Sequence, residues 1–292
     1  MKIRKFYILL LIFITYTISA QIKGIIKDSL TGNPIPFVNI WVENEEIGTT
    51  SDLDGSFFIL VKDINKKLVF SALGFHKKTV KAVNAKEVFL KPSVIELNEV
   101  VVLNKKETKE IEIGKTPNAI LQTFDNGPKI EAKYFPYKDS YNKTKFIKKV
   151  SIQTDSKIEK ATMKIHFYSV NEDGSPGEEL LNENFLVTIK KGILKNKFDI
   201  SNYNLVMPAN GIFVAYEKLM IESNQLERQI INPYTKREKT QKTYYPLVLY
   251  NYVERDFLYS FFGGKWNKKV NKKKSLDKLT IFEPAINLTL TN

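Results

Sequence analysis

The chain has 292 residues, 45 of them lysine or arginine and 32 aspartate or glutamate, for a net charge of +13. It has no cysteine, which excludes disulfides, thiolate nucleophiles and cysteine-ligated metals, and its two histidines leave little room for imidazole chemistry. The charge is uneven: residues 22–103 carry ten lysines against ten carboxylates, whereas residues 104–292 carry 32 basic against 22 acidic groups, a net +10. That change in composition predicts a domain boundary near residue 103. A basic C-terminal half is drawn to anionic surfaces such as lipid headgroups, acidic polysaccharide or nucleic acid, or else forms only a solubilising surface.

Residues 1–20 read as a secretory signal peptide. Lys2, Arg4 and Lys5 give a positive start, residues 6–14 are continuously apolar, and Ile18, Ser19 and Ala20 supply a small-residue exit. The apolar run is shorter than the about 20 residues a membrane span needs. Cleavage after Ala20 is expected, with a retained N-terminal anchor as the alternative, and no later stretch reads as a transmembrane helix. No cysteine at the cleavage point can take a lipid.

Residues 21–103 read as short strands broken by turns. Val38, Ile40 and Val42 alternate with Asn39, Trp41 and Glu43, the period-two pattern of a strand with one buried face. Residues 57–61, 68–72, 79–83 and 87–90 are further short runs. The turns carry Thr31-Gly32-Asn33-Pro34, Asp52-Leu53-Asp54-Gly55 and Leu73-Gly74, residues that supply positive φ or cap their own backbone. Asp52, Asp54 and Gly55 have the spacing that opens a calcium loop, but the later bidentate glutamate is missing and strands flank the motif, so a turn is expected. His76 falls in an exposed position. Six or seven short strands in this length form a small sandwich.

Several of these residues also stand in the order of a known family. Gly24 to Ile40 with Pro34, Pro36 and Phe37, then Gly48 through Asp52, Asp54 and Gly55 to Phe57, resemble the carboxypeptidase-regulatory-like domain. Leu68 to Phe75 resembles that family's strand leading to a Gly-Phe pair. Val88-Phe89-Leu90-Lys91-Pro92 resembles its closing strand, and residues 97–102 resemble the segment that follows it in TonB-dependent receptors. The resemblance implies a transthyretin-like β-sandwich without chemistry of its own, of a kind common in exported proteins of Bacteroidetes-type bacteria. The peptidase itself is not expected, since neither His76 nor His166 has glutamate at metal-ligand spacing.

Residues 104–117 read as a charged linker passing into a first strand near 111–113. Alternation then returns at Phe146, Val150 and Ile152; at Met163, Ile165 and Phe167 against Thr162, Lys164, His166 and Tyr168; at Phe185, Val187 and Ile189; and at Ile212, Val214 and Tyr216. Asn171 to Gly177 is a long turn. Pro246 and Pro284 interrupt late strands, as expected of edges or bulges. The predicted fold class is all-β: a transthyretin-like β-sandwich (21–103), then a second antiparallel, jelly-roll-like β-sandwich (118–292). Ser169-Val170 with Gly174 to Leu181, and Phe198 to Leu205 with Gly211 to Glu217, resemble jelly-roll modules attached to exported Bacteroidetes proteins, a likeness that implies architecture and no site residues.

No motif assigns a catalytic, metal or cofactor residue, and no cofactor is expected. There is no Gly-x-Ser-x-Gly, and Gly263-Gly264-Lys265 has Tyr259 where a phosphate loop needs glycine, so a hairpin turn is the better reading. His166 is read as a surface residue. Glu178, Glu179, Glu183 and Glu217 are candidates for paired-carboxylate chemistry by residue type alone. A calcium ion held by backbone carbonyls would leave no mark in the sequence.

Binding is the more open chemistry. Tyr244, Tyr250, Tyr259 and Trp266 are candidate ligand contacts, because aromatic faces stack on sugars; they serve equally as sandwich core. The basic run 267–274 beside them reads as a loop capable of weak anionic contact. The expected function is a non-catalytic, exported cell-envelope protein, periplasmic or outer-membrane associated, acting as a binding or adaptor module. Its expected partner is an envelope protein or a glycan, and not nucleic acid. The alternatives are a carbohydrate-binding module in the C-terminal domain and a truncated relative of TonB-dependent receptors.

Overall fold

The computed structural model describes residues 20–93, 105–115, 121–124, 127–231, 236–255, 257–270 and 280–292. The expected signal peptide, apart from Ala20, and the 97–102 stretch lie outside these residues. The protein is all-β: 59% of the described residues are in strands, and none of them forms a helix of seven residues or more. No described helix is long and apolar enough to cross a membrane.

Seven strands build the first sandwich: β1 (Ala20–Asp28), β2 (Asn39–Val42), β3 (Gly48–Thr50), β4 (Ser56–Val61), β5 (Lys67–Ser71), β6 (Lys78–Lys81) and β7 (Glu87–Leu90). One sheet has the order β4-β1-β7, the other β3-β2-β5-β6. β1 runs antiparallel to β4 and parallel to β7. In β4, Phe57, Ile59 and Val61 are buried while Phe58 and Leu60 are exposed, the alternation of a strand with one core face. The core gathers Ile26, Val38, Ile40, Phe57, Leu68 and Phe70 from both sheets.

Two features of the family motif acquire a physical cause here. The Asp52–Gly55 segment is a turn: Asp54 accepts the Ser56 amide at 2.9 Å, and Gly55 takes φ +75°, where a Cβ would lie 2.7 Å from the Ile26 carbonyl oxygen. A Cβ on Gly24 would meet the Ala85 carbonyl oxygen at 2.1 Å and the Phe57 ring at 2.7 Å. Backbone cannot yield as a flexible side chain can, so Gly24→Ala is expected to lower stability by about 1–3 kcal/mol, the usual cost of overpacking. Urea denaturation checks this, and an unchanged midpoint would contradict it.

Among the described residues sixteen strands follow: β8 (Glu110–Ile113), β9 (Leu121–Phe124), β10 (Ile130–Phe135), β11 (Phe146–Ser156), β12 (Ala161–Val170), β13 (Pro176–Glu179), β14 (Phe185–Ile189) and β15 (Gly192–Asp199). Then come β16 (Ile212–Lys218), β17 (Gln225–Ile231), β18 (Glu238–Tyr244), β19 (Leu247–Glu254), β20 (Phe257–Phe262), β21 (Lys265–Val270), β22 (Thr280–Pro284) and β23 (Ile286–Thr291). One sheet runs β13-β12-β16-β10-β20-β21, with β14 also on β12. The facing sheet runs β22-β19-β11-β23-β8, with β15 on β11 and β9 on β19. β8 pairs with β23, so the charged connecting stretch enters the second sandwich through Ile111 and Ile113. Pro284 closes the edge strand β22, and Pro246 separates β18 from β19. The core between the sheets includes Ile147, Val150, Met163, Ile165, Phe167, Val214 and Leu288. β17 and β18 form a separate two-stranded arm whose far ends, including Ile230 and Ile231, are exposed.

Candidate functional site

The two sandwiches meet face to face, and the meeting is built from residues that alternation alone assigns to solvent. The outer face of β2 carries Asn39 and Trp41, and both are buried. The Trp41 ring meets Phe261 of β20 edge-on, with centroids 6.4 Å apart. Gly263 and Gly264 turn the β20–β21 hairpin at φ +62° and +85°. The Asn44 amide donates to the Gly263 carbonyl at 3.1 Å, and the Lys77 ammonium donates to that of Gly264 at 2.5 Å. Lys129 and Glu46 add an ion pair at 2.8 Å. The hairpin that superficially suggests a phosphate loop is thus a contact between domains.

At the centre of this junction lies a buried charge network. β12 turns Met163, Ile165 and Phe167 into the core and Lys164, His166 and Tyr168 toward the first sandwich. Lys164 donates to the Phe37 carbonyl at 2.7 Å and stands 3.7 Å from the Glu217 carboxylate. His166 contacts Glu217 through Nε2 at 2.9 Å and Glu179 through Nδ1 at 2.7 Å. Glu179 also accepts the Phe167 amide at 2.8 Å. Phe37 holds φ +58°, a left-handed conformation that is costly for a bulky side chain, while its ring packs on Leu219 and Ile221 of the second domain.

Burial pulls the His166 pKa down, but Glu179 and then Glu217 outweigh it and carry it up to about 9. Burial likewise would raise Glu217, yet Lys164 and His166 hold it below the ordinary carboxylate range. At neutral pH the ring is therefore an imidazolium that donates to both carboxylates, and it has no free lone pair to act as a base. The surface reading of His166 is corrected: the first sandwich covers the face on which it sits. Of the four carboxylates singled out by type, Glu179 and Glu217 do come together, but across this ring.

Beside the network the two sandwiches leave a cleft of about 780 Å³. One wall is the outer face of the β4-β1-β7 sheet, where Phe58 and Leu60 are 44% and 47% exposed next to Lys23. The other wall is Met220 and the base of the β17–β18 arm, with Tyr244 and Lys242. Asp52 accepts the Glu222 amide at 2.8 Å and Thr50 the Met220 amide at 3.3 Å, so the two walls are tied at the floor.

The four aromatic candidates do not form a row. Tyr244 borders the cleft, its hydroxyl donating to Gln225 at 2.8 Å. Tyr250 lies inside the second sandwich, 1% exposed, with its hydroxyl on Glu131. Tyr259 is packed on the opposite face of its sheet against Phe213. Trp266 is half-buried between Tyr168 and Phe261. Packing consumes the ring faces of Tyr250 and Tyr259, which leaves Tyr244 as the one member of the set on the cleft. The residues missed by the sequence reading are Lys164 and Asn39, whose only signal was a polar strand face.

Residues 22–102 match the family model of the CarboxypepD_reg-like domain. The first sandwich is that domain, and the match ends before the second. The TonB-dependent receptor P3 of Formosa agariphila is 33% identical over 102 residues, covering 34% of this chain and 10% of the receptor. The TonB-dependent receptor SusC of Bacteroides thetaiotaomicron is 32% identical over 102 residues, with the same coverage. The chain thus spans about a tenth of the length of these curated relatives. A solved structure of infectious bursal disease virus, Gx strain, aligns over 94% of this chain and 77% of its own at 9% identity, with a TM-score of 0.25. The cleft therefore joins a CarboxypepD_reg-like domain to a β-sandwich beyond that match.

Proposed function

We propose that the chain is a non-catalytic, exported binding module of the bacterial cell envelope, held in the periplasm or at the outer membrane. Its two sandwiches act as one body and grip an extended segment of an envelope protein in the cleft between them. The observation that carries this reading is the cleft wall formed by Phe58 and Leu60, two large apolar side chains left exposed on an edge strand of the CarboxypepD_reg-like domain. An edge strand can accept another strand, and its alternate side chains give the added strand a surface to read. The receptor relatives support an envelope setting. The locked state of His166 supports a binding role over a catalytic one.

A photo-crosslinking residue placed at Phe58 in living cells is expected to give a discrete protein adduct. The same residue at Ile193, exposed on the far sandwich, is expected to give none. Equal labelling at both positions, or none at either, would remove the cleft from the reading.

A further inference from the structure

The second sandwich has an apolar core along β12 and β16 but a polar interior along β10 and β20. On β10 it is Glu131, Lys133 and Phe135 that point between the sheets, while Ile130 and Ala132 pack on the outer face. Lys133 is matched by Glu283 at 3.0 Å. Glu131 is met by hydroxyl groups. It stands directly across from Tyr216 on β16 and Ser260 on β20, and Tyr250 reaches it from the facing sheet. Ser260 donates to one carboxylate oxygen at 3.3 Å and Tyr216 to the other at 3.3 Å. A carboxylate 6% exposed inside a sandwich is costly, and hydroxyl groups from three strands are arranged around it.

These groups open onto a pocket of about 510 Å³ between the sheets, within the roughly 300–1,000 Å³ of small-molecule sites. Its walls are apolar, from Leu258, Phe262 and Phe282. Its rim carries Asn267, Lys269 and Lys129, the last also held by Glu46 and lying 5.0 Å over the Phe262 ring. Lys268 directs its ammonium to the other face, over Phe257 and Tyr259. The pocket thus offers hydrogen-bond acceptors at the bottom, an apolar wall, and positive charge at the mouth. A sugar acid presents the complement: hydroxyl donors, a C–H face, and one carboxylate.

We propose that this pocket binds a uronic-acid residue of an acidic glycan. The hydroxyls meet Glu131 and Ser260, the ring lies along Phe262 and Phe282, and the carboxylate meets Lys269 and Lys129. The site is separate from the cleft between the domains, and the two can be tested apart.

The test is calorimetric titration of the whole chain with tetramers of galacturonate, mannuronate and glucuronate, at low and at high salt. The neutral galactose tetramer and tripolyphosphate serve as comparators. At least one uronate is expected to bind, to do so at high salt, and to bind more tightly than either comparator. Glu131→Gln and Lys269→Glu should each weaken it about tenfold or more, by the loss of a charged hydrogen bond. Phe58→Ser, in the cleft, should leave it unchanged. Lys269 is exposed, so its variant reports on the site even where Glu131→Gln fails to fold. No binding by any uronate, equal binding of tripolyphosphate, tighter binding of the neutral tetramer, or indifference to Lys269→Glu would each overturn the proposal.

Discussion

Glu217→Ala is expected to destabilise the protein by about 3–5 kcal/mol, because it removes the carboxylate shared by two buried cations and leaves His166 with Glu179 and Lys164 with the Phe37 carbonyl. Glu217 is fully buried, Lys164 is 2% exposed, and the His166 side chain 12%. In a domain of this size each kcal/mol moves the melting temperature by roughly 2–4 °C, so a fall on the order of 10 °C should be seen by calorimetry. The same network predicts a pH dependence. His166 has a folded pKa near 9 against an ordinary 6.5. Its contribution is fully present below pH 6.5 and is lost as pH rises through 9, where the folded state must also give up the proton. Unfolding free energy should therefore decline across that window, by at most about 3 kcal/mol from this group. His166→Gln should flatten the decline. A flat profile in the parent chain, or a Glu217→Ala variant within 2 °C of it, would mean the network is solvated and holds nothing together.

The first domain was legible in the sequence because its signals are local. Period-two alternation located β2, a short apolar run located β4, and Asp54 and Gly55 marked the turn between β3 and β4. The family motif covered the same residues. What alternation cannot carry is the identity of whatever covers a polar face. Asn39, Trp41 and Glu43 were read as one solvent side of a strand, yet Asn39 and Trp41 are buried and only Glu43 keeps partial exposure. The same holds for Lys164 and His166 on β12. Both faces became interior through one docking event between segments more than 120 residues apart in the chain. The aromatic candidates were dispersed for the converse reason. Tyr250 and Tyr259 sit nine residues apart, but opposite sheets receive them, and strand pairing over long separations decided which rings remain open.

Trp41→Ala should expose the same coupling from the other side of the junction. Trp41 is fully buried although only one face of β2 belongs to the first core. Its ring fills the space over Gly48, where a Cβ would lie 2.6 Å away, and meets Phe261 of the second sandwich. Truncation removes a ring that supports both domains and is expected to cost about 3–5 kcal/mol. The more informative readout is cooperativity. With the junction intact, the two sandwiches should unfold in one calorimetric transition; with it emptied, they should separate into two. Trp41→Phe keeps a ring in the gap and should fall between. Because Trp41 and Glu217 serve one interface, the double variant should lose less than the sum of the single losses once either change has parted the domains. Strict additivity, with a single transition throughout, would mean that each side chain stabilises only its own sandwich and that the two domains are not energetically one body.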